Sequence, residues 1–449
     1  MVPLIAGRIP LVRRPKAPGL PLEQRLTELG ALTALPAGAS HRDQVARASA
    51  VLNYAALIAS DTAMPNLAFQ LCWRQYEVFA AAGYLIGDIA VMALMPVVNI
   101  ARLLIREGDG EAAYDVLTRL YRAAQQRSSA EIRGRTVDLA ALTGTEADHR
   151  KVCEELWMIM LIDGARALAQ VGRWTEAAHA MTAHRGVGNR LLDGRQIMIM
   201  SLLERGLEQQ ARAVIESTVP AEPWENTIAD LLRLSCWPAG PPVLQPELDR
   251  ALRGALALVR PADPATAAFQ ARVALTAIDL AGDRSGPYTT ALLDAVVDVA
   301  SADAYAARDV LHHDLTCSRI TREQRQVLDA VLTASGLGAG SLTEAHTKSL
   351  TRAADSGAAA LTGLLRRTPP PTGPSANTGE PMNPPPPPAT TSDPDAGDEV
   401  TAARMSTGSW QRHPVQRHTP GREHMTSTPY GTGPPGHREG PRSATGWRG

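Results

Sequence analysis

Three short groupings in this chain carry side chains that could do chemistry. His41-Arg42-Asp43 sets a carboxylate beside a base, an arrangement that can take a hydroxyl proton in phosphoryl transfer. That chemistry also needs a metal-binding Asn five residues after the aspartate and a glycine-rich strand ahead of it; the chain has Ala48 and no such strand. His312, His313 and Asp314 offer metal ligand atoms, but adjacent helical residues point about 100° apart and cannot converge on one ion. They read as part of a surface helix. The run Gly336-Leu337-Gly338-Ala339-Gly340 follows a helical pattern, so it reads as a helix stop and linker instead of a phosphate cradle. Asp294 and Asp298 stand four apart without further acids beside them. No catalytic residue, cofactor site or metal site is expected, and the chain reads as a non-enzyme.

A second kind of chemistry is recognition. Asn53, Arg102, Arg106, Arg166, Gln170, Asp193 and Gln196 fall toward one face of successive helical segments. Arginine presents a planar fork to a carboxylate, while Asn and Gln can pair with both the donor and the acceptor of a peptide unit. Such a row suits an extended peptide or a partner helix. Trp73, Trp157 and Trp174 occur at helical spacing among apolar neighbours and read as core anchors.

A row of this kind needs rigid helices at a fixed interval. IREGDGEAAYDVL places Gly108 five residues before Ala113; AQVGRWTEAAHAM places Gly172 before Ala177, and LERGLEQQARAVI places Gly206 before Ala211. A weaker copy, ASDTAMPNLAFQL, puts Ala63 at the glycine position and keeps Ala68. The glycine can take φ > 0 and end one helix, and the alanine lets the next helix approach closely. With Trp174 after Gly172, a 34-residue step from Gly172 to Gly206 and a closing Pro223, the pattern resembles the tetratricopeptide family over about residues 49–225. The resemblance implies an all-α superhelix of antiparallel helix pairs whose first helices line a concave, peptide-binding surface. Intervals of 45 and 64 residues separate Ala63, Gly108 and Gly172, which places insertions near 83–92 and 125–150 and leaves another helical-repeat or bundle arrangement open.

Around this block the composition changes. Residues 1–20 carry Arg8, Arg13, Arg14 and Lys16 with no acid and four prolines, and read as a basic extended arm. Residues 21–225 are the repeats, and 226–336 are further repeats or a capping bundle. Residues 337–367 read as a linker with one possible helix, weakened by Gly357 and Gly363. Residues 368–449 hold 17 of the 34 prolines, too little apolar surface to offset ordering entropy, so a disordered tail is expected.

Charge and cysteine content bound the function. Against 46 acids stand 45 bases, of which three are lysine, a bias of high-GC bacterial genomes; a net charge of −1 gives no global field for nucleic acid or membrane. Four scattered cysteines suggest reduced packing thiols. Gly7, Arg8 and Pro10 interrupt any leader-like apolar run, and the apolar stretch 84–105 contains Asp88, Pro96, Asn99 and Arg102, which suits a buried soluble helix. The expectation is a cytoplasmic scaffold for a protein or peptide partner, without direct nucleic-acid or membrane contact. A peptide-sensing transcriptional co-regulator and an accessory subunit of a biosynthetic pathway are the alternatives.

Overall fold

A computed structural model describes residues 4–237, 245–284 and 286–367. The predicted 368–449 tail and the Pro238–Pro242 loop lie outside the described residues. The apolar three-and-four spacing forms helices: α1 (Leu22–Leu32), α2 (His41–Asp61), α3 (Pro65–Ala80), α4 (Gly87–Arg106) and α5 (Gly110–Gln126). A small antiparallel hairpin follows, β1 (Ser129–Ile132) and β2 (Arg135–Asp138), inside the longer interval between glycine turns. Next come α6 (Glu146–Ile159), one π turn at Met160–Gly164, α7 (Ala165–Gln170), α8 (Trp174–Ala183), α9 (Asp193–Glu204), α10 (Glu208–Glu216) and α11 (Pro223–Ser235). The remaining helices are α12 (Gln245–Val259), α13 (Ala267–Ala281), α14 (Pro287–Ala300), α15 (Ala304–Leu311), α16 (Asp314–Cys317), α17 (Arg322–Ser335) and α18 (Glu344–Leu365).

Four helix-to-helix turns share one construction. Gly108, Gly172 and Gly206 take φ of 85°, 77° and 69°, and Ala63 takes 55° in the same position. The residue after each donates its N–H back to the carbonyl five residues earlier: Met64 to Ala59, Asp109 to Leu104, Arg173 to Leu168 and Leu207 to Leu202. This six-to-one bond closes the last helical turn and satisfies a carbonyl that would otherwise be orphaned. Ala68, Ala113, Ala177 and Ala211 follow at the five-residue step, each fully buried where the second helix meets its neighbours. Gly172→Val should cost about 2 kcal/mol of stability through left-handed strain, and Ala177→Leu about 1–3 kcal/mol through overpacking. Ala63→Gly, by contrast, should cost nothing because the left-handed turn is already in place. Thermal melts of the three variants would settle the comparison; a large loss at Ala63→Gly or none at Gly172→Val would contradict it.

Apolar faces gather into two clusters. One joins α1–α6 with α18; the other runs from Met158 through α17 and takes in Ile5, Ile9 and Leu11 of the amino-terminal segment. Helix α4 is long and apolar enough to cross a membrane, yet 72% of its most apolar window is buried among other helices. Helix α18 lies along α2 and α3. At Gly357 a Cβ would come within 2.8 Å of Val51 Cγ1, so a glycine that weakens helix propensity is what permits this close packing. The preceding loop is pinned as well: the Gly338 and Gly340 N–H groups donate to the Asp61 and Thr62 carbonyls at 2.7 and 2.9 Å. Elements from both ends of the described chain therefore meet at the end of α2.

Candidate functional site

The amino-terminal segment lies against the body of the protein. After one 3-10 turn at Leu4–Arg8 it runs without regular structure to α1, burying Ile5, Ile9 and Leu11. Polar groups on the helices hold its backbone. The Leu11 N–H donates to Gln196 Oε1 at 2.7 Å, and Gln196 Nε2 donates to the Leu11 carbonyl at 2.8 Å. One side-chain amide thus pairs with both halves of a backbone unit, which reads an extended chain without reading its side chain. Further along, the Lys16 N–H donates to the Ala265 carbonyl at 2.7 Å, and the Gly19 N–H donates to Asp303 Oδ2 at 2.7 Å. The Ala304 N–H donates to the Gly19 carbonyl at 3.0 Å.

Aspartates take the segment's charges. Arg14 and Asp193 form a two-pronged ion pair, and Arg166 Nε reaches Asp193 Oδ1 at 3.0 Å from the other side. Burial alone would raise the Asp193 pKa, but Arg14 and Arg166 outweigh it and hold the carboxyl down to about 2. Arg8 pairs with Asp279, and Arg13 lies 3.7 Å from Asp263. Lys16 places its ammonium 3.7 Å above the Tyr305 ring. Burial, with Arg106 nearby, pulls the Lys16 pKa down to about 8.

Next to Lys16 a second polar centre is built on Asp61 at the end of α2. Its carboxylate accepts from Arg25 Nη2 and Tyr305 Oη, both at 2.6 Å, and from Arg106 Nη1 at 2.7 Å. Burial opposes its ionisation, and the two arginines prevail, so its pKa falls. Burial raises that of Tyr305, which stays a phenol and a donor. α1, α2, α4 and α15 are tied together by one carboxylate.

The structure distributes the sequence-predicted residues unevenly. Asp193 and Gln196 bond the amino-terminal segment directly, and Arg166 reaches it through Asp193. Arg102 pairs with Asp163 at 2.7 Å, and Asp163 in turn acts electrostatically on Arg14 and Arg166. Asn53 joins this row through Asn99, whose Nδ2 donates to Asn53 Oδ1 at 3.1 Å. Arg106 belongs to the Asp61 centre, and Gln170 is exposed at the end of α7. Sequence reasoning missed Asp61, Asp163, Asp279, Asp303 and Tyr305. A signal existed for one of them: Asp61 stands two residues before Ala63, as Arg106 does before Gly108 and Gln170 before Gly172.

Other chemical groupings are absorbed into structure. His41-Arg42-Asp43 is the first turn of α2, capped by Ser40, with Arg42 on Asp88. The surface-helix reading of His312–Asp314 is corrected: His313 is buried and caps α16, with Nε2 2.8 Å from Asp279 Oδ1 and Nδ1 beside Thr316. Burial and the neighbouring Arg8 lower its pKa to about 4. The ring is therefore neutral at pH 7, Nε2–H donating to Asp279 while Nδ1 accepts from the Thr316 N–H. Trp73 and Trp174 are core residues, and Trp157 donates to the His184 carbonyl at 2.9 Å. Among the described residues no group of three or more His, Cys, Asp or Glu side chains could hold a metal ion. Comparison of the chain with protein-family models, with curated proteins and with solved structures returns no match.

Proposed function

We propose that this chain is a non-enzymatic, tetratricopeptide-like helical-repeat scaffold of the cytoplasm that captures a protein or peptide partner in extended form. One observation carries the reading: Gln196 and Asp193 grip a stretch of irregular backbone as a peptide would be gripped, by paired backbone hydrogen bonds and a charge-matched arginine. Four like-built helical turns support the repeat assignment, since each joins two helices through the same left-handed residue and places a buried alanine at the same five-residue step. The ionisable groups along this face are mutually paired, which suits recognition better than proton transfer.

Panning a display library of twelve-residue peptides against the full chain tests the proposal. Enriched peptides should lose at least tenfold in binding when Arg102, Arg106 or Gln170 is changed to alanine, with the melting temperature used to confirm folding. If no peptide is enriched, or if those that are enriched ignore all three changes, the proposal is wrong. Charge reversal at Arg166 is the poorer test. A residue facing only solvent would tolerate it, whereas here it would set a carboxylate against buried Asp193.

A further inference from the structure

We infer that the segment Leu4–Leu20 is a tethered ligand: it holds, within its own chain, a site built to take an extended segment of the same chemistry from another molecule. The partner chemistry is a basic, acid-free peptide with apolar residues two apart, an arginine three residues further on and a lysine two beyond that, as in Ile9, Leu11, Arg14 and Lys16. The inference rests on the peptide-capture reading above and adds what the site selects and what must leave it first.

The body's own hydrogen bonds carry the argument. Each side chain that holds the segment has a second partner in the rest of the chain, so the site keeps its shape when empty. Asp193 keeps Arg166, and Gln196 keeps the Leu191 carbonyl at 2.8 Å. Asp303 caps α15 through the Ala306 N–H at 2.8 Å, and Asp279 keeps His313. Asp263 keeps the Ala265 N–H and the Thr266 hydroxyl at 3.0 and 2.8 Å. Tyr305 keeps Asp61. A strap needed only for folding would leave its anchoring side chains orphaned on departure; here each anchoring side chain keeps a partner, and only the Ala304 N–H and the Ala265 carbonyl, bonded to Gly19 and Lys16, are given up to water. A site organised in advance loses little order on binding.

Charge and shape agree with that. Four bases and no acid lie on the segment, and the aspartates at positions 193, 263, 279 and 303 face it. Arg13, Pro15 and Ala17 stay exposed while Ile9 and Leu11 are buried, so the anchors are few and lie on one side. Tethering raises the local concentration of the segment to the millimolar range, which sets the competition a free peptide must overcome.

Two measurements on the full-length chain test this. In native-state hydrogen exchange the Leu11 and Lys16 amides, bonded to Gln196 and Ala265, should exchange at least a hundredfold faster than the Ile228 amide inside α11, by opening of the segment alone. Second, with a protease site inserted between Leu20 and Pro21 and cut after folding, a labelled synthetic peptide of residues 4–20 should replace the resident segment. Uptake should be at least tenfold greater than by the uncut chain and should vanish for a peptide carrying Arg14→Glu and Lys16→Glu. Exchange of Leu11 and Lys16 only with global unfolding, or a cut chain that takes up no peptide, would overturn the inference. If the segment stays fixed while panned peptides still depend on Arg102, Arg106 and Gln170, the inference fails and peptide capture stands. Equal uptake of the wild-type and charge-reversed peptides would equally overturn the stated partner chemistry.

Discussion

Replacing Asp193 with alanine should lower the unfolding free energy by about 3–5 kcal/mol, because it strips the largely buried Arg14 of its partner and leaves it facing a second cation, the partly solvated Arg166. Arg14 and Arg166 converge on this carboxylate, and Asp193 is only 2% exposed. Neither guanidinium can shed its proton to relieve the conflict. The amino-terminal segment should be displaced first, which predicts faster exchange at Leu11 together with a lower urea midpoint. An unfolding free energy within about 0.5 kcal/mol of the parent would show that water or a rearranged partner reaches this site freely. The same pair sets an acid limit. With its folded pKa held at about 2, below the value near 4 in an unfolded chain, the carboxylate contributes stability above pH 4 that fades as pH falls toward 2. That contribution is about 2.5 kcal/mol, so the gap between the parent and Asp193→Asn should close progressively across pH 4 to 2.

Asp61→Ala should be comparably severe, about 3–5 kcal/mol, for a related reason with a different reach. Arg25 is as buried as Asp61 itself, so losing the carboxylate strands a buried guanidinium between α1 and α2. Arg106 is partly solvated and loses less. Tyr305→Phe removes only a neutral donor and should cost about 1 kcal/mol, which makes it a graded control. A double-mutant cycle on Arg25→Met and Asp61→Ala should return a coupling of about 2 kcal/mol or more, since the second change removes the charge that the first has orphaned. Additive effects would mean that Arg25 finds another partner. Because Asp61 also anchors α15 through Tyr305, hydrogen exchange in α15 should quicken in Asp61→Ala although Tyr305 lies 244 residues further along the chain.

Much of the helical scaffold was legible because its determinants are local. A glycine or alanine that must turn left-handed, a small residue five positions later and apolar residues at three-and-four spacing act within one or two helical turns; Gly108, Gly172 and Gly206 take the expected backbone, and so does Ala63, the weakest copy. The capping and turn chemistry around them is likewise encoded within a few residues. The polar row was legible in part for the same reason. Arg166, Asp193 and Gln196 stand out as hydrophilic residues in apolar helices, which marks a face but not its occupant.

Local pattern could not reveal which distant segments would satisfy those groups. Arg14 and Asp193 are 179 residues apart, and Asp61 and Tyr305 are 244 apart. Nothing in the periodicity around either member names the other. The basic arm and the polar face were both visible along the chain, yet their pairing depends on where the packed helices bring α9, α13 and α15 in space. Gly357 shows the same division: propensity marks it as a weak point in a helix, whereas packing against Val51 makes its missing side chain a requirement. By itself the amino-acid order determined helices, turns and faces, because hydrogen bonds and sterics within a few residues decide them. Only the folded arrangement decided that the face is filled and by what, because burying a charge is tolerable solely where a partner from elsewhere in the chain arrives to pair with it.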